Sequence, residues 1–224
     1  MFDVKKELNK WLSDKGITRY IDEVEVQRSF EEHIVFPTPA IQQDEKEISE
    51  FIDYLQDEVG KQKKVLEIGL GYFGSTHFIF RHFFEQVITI EKEFDRVRAF
   101  VDNLYKYYDN NLDIDKSRFI HGFSYEPSTI YSISKLLDGK LVDMLFIDGH
   151  HTYESILSDF LIYKNFLKDD GYLVMHDYLW PFKDYEIKRF IDSLENEYDM
   201  KKIIHSKEQG IVILRRKKWT YLKK

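Results

Sequence analysis

The sequence predicts an α/β domain with a mostly parallel sheet covered by helices on both faces. Three observations predict it. After Gly60, short apolar runs alternate with longer amphipathic stretches. One run, Val142-Asp143-Met144-Leu145-Phe146-Ile147, is apolar nearly throughout, as a strand buried on both faces must be. Parallel neighbours need crossovers, and right-handed crossovers set helices on both faces of the sheet. The chain's end differs. The runs 201–205 and 210–214 are joined only by a polar turn around Lys207-Glu208-Gln209-Gly210, so they pair antiparallel.

The elements follow in order. Residues 3–15 carry Val4, Leu8, Trp11 and Leu12 at helical spacing. Residues 27–43 hold Pro37 and Pro39 without a period and read as a loop, either a lid or a contact in a homo-oligomer. Residues 44–59 are helical again, with Ile48, Phe51, Ile52 and Leu55 on one stripe. The chain thus divides into N-terminal helices with a lid segment (1–59) and an α/β domain (60–224). Within the domain, strands are expected at 65–68, 87–90, 118–120, 142–147 and 172–175. Helices are expected at 75–85, 92–107, 125–137 and 153–167.

Composition removes several function classes. The net charge of −7 disfavours a nucleic-acid partner. Arg215, Arg216, Lys217, Lys218, Lys223 and Lys224 read as a solvated basic tail. There is no cysteine, so disulfides, thiolate zinc sites and cysteine nucleophiles are excluded. The N-terminus lacks a signal-peptide core, and no apolar run approaches the ~20 residues of a membrane helix. A cytoplasmic protein without a membrane partner is expected. The 18 Phe and 15 Tyr fit either a Phe-rich core or aromatic walls around a ligand.

The sharpest local signal is Val65-Leu66-Glu67-Ile68-Gly69-Leu70-Gly71-Tyr72-Phe73-Gly74-Ser75-Thr76. A strand runs into Gly-x-Gly-x-x-Gly and then a helix. Glycines let the chain turn sharply and approach a ligand closely, and the helix N–H groups then face that ligand. The pattern alone serves dinucleotides and S-adenosylmethionine alike. Glu67 would repel a pyrophosphate and suits an ammonium or sulfonium. Ser75 and Thr76 offer hydroxyls for a ligand carboxylate. Glu91 closes the second strand, where a carboxylate can accept both ribose hydroxyls.

These residues resemble the class I S-adenosylmethionine-dependent methyltransferases. Glu67 to Thr76 matches their first motif, including Tyr72, and Glu91 matches the second. The resemblance spans roughly residues 60–215. It implies a Rossmann-like methyltransferase sandwich of seven strands with the last antiparallel. Gly122-Phe123-Ser124 occupies the family's adenine-contacting position, where many relatives carry an acid and this chain has Phe123.

A second constellation is Asp148-Gly149-His150-His151-Thr152-Tyr153-Glu154, followed by His176-Asp177 on the next strand. Both groups belong at the carboxyl edge of the sheet, where open α/β folds bind ligands. The pattern resembles the branch with macrolide sugar O-methyltransferases and the cephalosporin-biosynthesis methyltransferase component. That resemblance implies a divalent metal on Asp148 and Asp177, and His151 as general base. His176 stands where the pattern has Glu. Two carboxylates suit Mg, whereas an added imidazole favours Mn, Fe or Zn. Tyr178, Trp180, Pro181 and Phe182 are candidates for an aromatic wall facing a small-molecule acceptor.

The expected activity is O-methylation of a sugar or small natural product. Two other readings stay open. One is an NAD-dependent oxidoreductase or epimerase, against which stand Glu67 and the placement of Tyr131 and Lys135 on a helix. The other is a methyltransferase-fold partner protein without turnover.

Overall fold

The computed structural model describes residues 3–14, 43–71, 73–107, 114–181 and 186–218. Seven strands form one sheet: β1 (Gln62–Ile68), β2 (Phe84–Glu91), β3 (Ser117–His121), β4 (Val142–Ile147), β5 (Leu167–Met175), β6 (Tyr198–Ile203) and β7 (Ile211–Arg216). Their order is β3-β2-β1-β4-β5-β7-β6. Every pairing from β3 across to β5 is parallel. β7 runs antiparallel to β5 and β6, as the short polar turn requires. The predicted sheet, including its reversed last strand, is the observed one.

The strands are flanked by α1 (Val4–Ser13), α2 (Glu45–Tyr54), α3 (Ser75–Phe83), α4 (Phe94–Tyr107), α5 (Pro127–Leu137), α6 (Tyr153–Tyr163) and α7 (Glu186–Ser193). Short polar side chains start three of them. Asp3 caps α1 through Lys6 N at 3.1 Å, Asp44 caps α2 through Lys46 N and Glu47 N, and Thr152 caps α6 through Ser155 N. α7 goes beyond the predicted elements. Ile187, Phe190 and Ile191 form its buried stripe, which is too short to stand out from its surroundings.

Strand alternation splits the core into two layers. Met144 and Phe146 face one layer, with Leu8, Trp11, Phe51 and Phe78. Leu145 and Ile147 face the other, with Ile133, Phe160 and Phe190. Trp11 stacks on Phe78 at 4.6 Å between ring centroids, and Phe80 meets Phe146 edge-on at 5.3 Å. These phenylalanines are core, and α1 and α2 share that core with the sheet. Arg215 and Arg216 belong to β7 and not to a tail: Arg215 lies over the Tyr172 ring, while Arg216 is solvent-exposed and pairs with the exposed Asp169 at 3.1 Å. Among the described residues no helix is long and apolar enough to cross a membrane.

β1 and β4 are neighbours in the sheet but far apart in the chain, because the path runs outward to β3 and then returns. The strand order reverses there, and the carboxyl ends diverge to leave a crevice.

Candidate active site

A cavity of about 730 Å³ opens at the carboxyl ends of β1, β2, β4 and β5. Its floor is tied together by the backbone. Gly69 N donates to Ile90 O, and Asp148 N donates to Ile68 O, both at 2.9 Å. The turn at Gly69 admits no side chain. Its φ is +91°, and a Cβ there would lie 2.0 Å from the Asp148 carbonyl oxygen. Gly74, at φ +63°, stands at the start of α3 with no side-chain cap, where a Cβ would strike the Phe100 ring at 2.4 Å. Ser75 and Thr76 begin the helix on the cavity wall. Tyr72 lies outside the described residues, as do residues 15–42, which include all of the predicted loop 27–43 except Gln43.

Glu91 lines the cavity and is nearly fully buried. Its Oε2 accepts Leu70 N and its Oε1 accepts Glu93 N, each at 2.9 Å. One hydrogen bond on each oxygen leaves lone pairs for further donors.

Glu67 is placed differently from the expectation. It is fully buried, at 0% exposure, and is absent from the cavity wall. Thr76 Oγ1 donates to its Oε1 at 2.5 Å, Thr89 Oγ1 donates to its Oε2, and His77 Nδ1 lies 3.3 Å away. The cause is the strand pleat, which sends alternate side chains to opposite faces of β1. Its charge is therefore committed beneath the loop and does not face a ligand's cation. The Thr76 hydroxyl is likewise turned to Glu67, and Ser75 Oγ donates to Gln43 at 3.0 Å.

At the other end of the cavity, two neighbouring strands deliver four ionisable side chains. Asp148 and His151 follow β4, and His176 and Asp177 follow β5. His151 Nε2 lies 2.9 Å from Asp177 Oδ2 and 3.8 Å from Asp148 Oδ1. His176 Nδ1 lies 3.2 Å from Asp177 Oδ1 and 3.5 Å from Asp148 Oδ1. Asp177 adopts φ +57°, the left-handed region that a short polar side chain tolerates. Single ligand atoms of Asp148, His151 and Asp177 lie within 4.8 Å of one another. His176, predicted with the metal ligands, sits behind that trio.

Charge in this cluster is strongly coupled. Burial alone would lower the His151 pKa, but Asp177 and Asp148 hold it up to about 10. Burial likewise opposes the His176 imidazolium, and the same two carboxylates raise it well above its ordinary value. Burial would raise Asp148 and Asp177, but the imidazoles bring both below the usual carboxylate range.

Two acids at the site escape a sequence reading. Glu47, on α2, is fully buried with Oε1 3.0 Å from His176 Nε2, and burial raises its pKa. Its Oε2 has no hydrogen-bond partner among the described residues. In sequence it looks like the third residue of an ordinary capping box behind Asp44. Asp159, on α6, lines the cavity at 3% exposure beside Ser124. The available signal was its position, three residues after Ile156 and four before Tyr163, on the buried stripe.

The aromatic wall is only partly present. Trp180 lines the cavity and meets the His151 ring edge-on at 4.4 Å. Tyr178 turns away into the core, where its hydroxyl donates to Asp192 at 2.8 Å. Phe182 is outside the described residues. Phe123 and Ser124 both line the cavity, and Phe123, 44% exposed, stacks on Tyr125.

Comparison with known proteins agrees with this architecture. Solved structures with the same fold include an rRNA methylase from Streptococcus thermophilus (TM-score 0.59, 11% identity, 80% of this chain and 100% of that one). They include an O-methyltransferase from Bacillus cereus in complex with S-adenosylhomocysteine (TM-score 0.57, 15% identity, 96% and 92%). TomG from Streptomyces achromogenes, an O-methyltransferase of tomaymycin synthesis in complex with S-adenosylmethionine, also matches (TM-score 0.56, 14% identity, 97% and 100%). Uncharacterized protein R132 of Acanthamoeba polyphaga mimivirus is 32% identical over 68 residues. That match takes in 30% of this chain and spans 30% of the viral protein's length. A family model described as "Methyltransferase domain" matches residues 66–178, from β1 through the β5 loop, and on that match the chain belongs to the methyltransferase domain family.

Proposed function

We propose that the chain binds S-adenosylmethionine across the cavity and transfers its methyl group to a hydroxyl oxygen of a small molecule, a sugar or another natural product. One observation carries this reading: Asp148, His151 and Asp177 converge at one end of the same cavity that Glu91 and the glycine loop line at the other. The O-methyltransferases among the structural neighbours support the chemistry. The resemblance to the macrolide-sugar and cephalosporin branch supports the acceptor class.

In this reading Glu91 accepts the ribose hydroxyls. Gly69 and Gly71 form the turn over the donor. The first N–H groups of α3, at Ser75 and Thr76, take its carboxylate. Glu67 acts indirectly by anchoring Thr76 to β1 and β2. Ser124 serves the nucleobase end.

The reaction is an in-line displacement. A lone pair of the acceptor oxygen forms the new O–CH₃ bond while the S–CH₃ bond breaks. The electron pair stays on sulfur, leaving S-adenosylhomocysteine. Reacting atoms held ~3 Å apart and aligned remove much of the entropic barrier. The acceptor's proton must leave, and His151 is the group beside the reacting end that can hold it. That role needs neutral imidazole, so it depends on compensation of the Asp148 and Asp177 charges.

The donor set fits a divalent cation. It brings carboxylate oxygens of Asp148 and Asp177 within 4.8 Å of one another beside the His151 imidazole, a grouping of like charges that a cation would relieve. Asp148 and Asp177 would hold it through carboxylate oxygens, leaving the His151 imidazole for the proton, and an oxygen-only protein set of this kind suits Mg or Mn. When bound, the ion would supply Lewis acidity that lowers the pKa of an acceptor hydroxyl.

The test is calorimetric titration with S-adenosylhomocysteine, NAD and Mn²⁺, followed by transfer assays over a panel of sugar hydroxyls. The wild type is expected to bind S-adenosylhomocysteine at micromolar concentration and to ignore NAD. Asp148→Ala is expected to lose transfer while retaining the donor product. Normal transfer in Asp148→Ala refutes the site. Donor binding without transfer to any acceptor, with or without metal, points to the non-catalytic partner reading.

A further inference from the structure

Glu47 stands where helix capping would use it, and the structure uses it elsewhere. It is the third residue of α2 behind the Asp44 cap, the place from which a glutamate side chain reaches back to the cap's N–H. Instead its Oε1 meets His176 Nε2 at 3.0 Å, and its Oε2 has no hydrogen-bond partner among the described residues. The side chain is fully buried. A carboxyl buried with one oxygen unmet costs stability, and an apolar residue would pack there without that cost.

α2 is held firmly where it presents this acid. Phe51, one turn on from Glu47, packs on Phe80 and Phe146, with ring centroids 6.3 Å apart in both pairs. Glu50 pairs with His205 of the turn between β6 and β7 at 2.7 Å. Just before the helix, Gln43 accepts the Ser75 hydroxyl at 3.0 Å.

What Glu47 meets is the pivot of the charged cluster. His176 Nδ1 lies 3.2 Å from Asp177 Oδ1 and 3.5 Å from Asp148 Oδ1, so one ring nitrogen serves both carboxylates. The other nitrogen rests on Glu47. An imidazole turned over about its Cβ–Cγ bond would set ring carbons against the two aspartates and against Glu47. Glu47 therefore selects the ring orientation that gives both aspartates a nitrogen. Asp177 depends on that choice. Its backbone lies at φ +57°, and its two oxygens are shared out, Oδ1 to His176 and Oδ2 to His151. His151 is the partly exposed imidazole of the pair, and His176 and Glu47 are almost fully buried behind it. Groups behind a polar site in this way set the direction of those that face it.

We propose that Glu47 is a positioning residue: through His176 it fixes the directions in which Asp148 and Asp177 present their oxygens to the cavity. The proposal rests on the reading of this cluster as the reacting end of the cavity, and it makes the N-terminal helices part of the site.

The experiment titrates the full chain of wild type, Glu47→Gln and Glu47→Leu with Mn²⁺ and, separately, with S-adenosylhomocysteine, by calorimetry. Glutamine removes the acid but keeps a polar oxygen for His176 Nε2, whereas leucine removes both. Glu47→Leu is expected to weaken Mn²⁺ binding by about 10-fold or more, while Glu47→Gln stays within about threefold of wild type. S-adenosylhomocysteine should bind all three alike, since Glu47 is not on the cavity wall. Equal Mn²⁺ affinity in wild type and Glu47→Leu overturns the proposal. So does an equal loss in both variants, which marks an effect of charge alone. A matching loss of S-adenosylhomocysteine binding marks general damage and overturns it too. Crystals of Glu47→Leu give a readout that needs no metal: the His176 ring is expected to leave its place between the aspartates, and an unmoved ring overturns the proposal. Glu47→Met replaces Glu47→Leu in both measurements if the leucine variant fails to fold. Wild type that binds no Mn²⁺ sinks the metal reading alone, and the crystals then decide on Glu47. Wild type that binds no S-adenosylhomocysteine sinks the methyl-donor reading instead.

Discussion

Asp159→Asn should make the ligand-free protein more stable at neutral pH. In the folded chain the carboxyl pKa is moved from 3.8 to about 6, by burial first and against the Ser124 hydrogen bond. For an acid with a raised folded pKa, the native state holds the proton more tightly than the unfolded state. Stability then falls as pH rises from about 4 to about 6, and the cost is complete above that window. Roughly two pH units at ~1.36 kcal/mol each amount to about 3 kcal/mol at pH 7.5. Asparagine keeps the shape and the acceptor for Ser124 and cannot ionise. Its extra N–H donors need partners, so about 3 kcal/mol is an upper bound. At 2–4 °C per kcal/mol for a chain of this size, the thermal midpoint should rise by up to roughly 6–12 °C at pH 7.5. At pH 5 about half of that should remain. The assay is a thermal melt of wild type and variant, each without ligand, at both pH values. Using the difference between the two proteins cancels titration elsewhere in the site. A gain equal at pH 5 and 7.5, or a loss at pH 7.5, refutes the reasoning.

Two further outcomes test the cavity's frame. Glu91→Ala should weaken S-adenosylhomocysteine binding by roughly 10- to 100-fold, since it removes two acceptors and also frees Leu70 N and Glu93 N. Calorimetry reads this directly, and an unchanged Kd would remove Glu91 from the donor site. Gly69→Ala and Gly60→Ala form a matched pair, because both glycines have positive φ but only Gly69 faces backbone, 2.0 Å from where its Cβ would be. Gly60→Ala should cost about 1–3 kcal/mol and Gly69→Ala at least about 2 kcal/mol more. Equal denaturant midpoints for the two variants would contradict the close approach of the loops.

The sheet was legible because each of its signals is local. A run such as Val142–Ile147 can only be satisfied between two layers, and the glycine loop marks the first crossover without help from the rest of the chain. The strand ends were legible too, which brought Asp148, His151, His176 and Asp177 to one edge. The direction of a side chain at that edge was harder to read. Glu67 occupies the position that a charge argument favours, but the pleat commits it to Thr76 and Thr89. Tyr178 follows Asp177 directly, but it turns into the core while Trp180, two residues on, lines the cavity. A tight turn, closed by Trp180 N donating to Asp177 O at 2.9 Å, separates the two outcomes, and local composition does not encode it. Glu47 was hidden for a different reason. Its position satisfies the rules of helix capping, and only the packing of α2 against the sheet brings it to His176.

The acids at the cavity point to a common physical cause. Glu47 and Asp159 are buried with raised pKa values, and Asp148 and Asp177 stay ionised only because two imidazoles accompany them. Asp177 also sits at a backbone angle that few residues tolerate. A fold selected for stability alone would place apolar side chains at these positions, since replacing buried ionic groups by well-packed hydrophobic ones is often neutral or stabilising. Elsewhere Phe, Ile and Leu fill most of both layers between the helices and the sheet, with a second buried polar group of Glu67, His77 and Arg81 behind the glycine loop. Asp148, Asp159, His176 and Asp177 gather where the strand order reverses and the crevice opens. The cost of these four is borne where donor, acceptor and proton would meet.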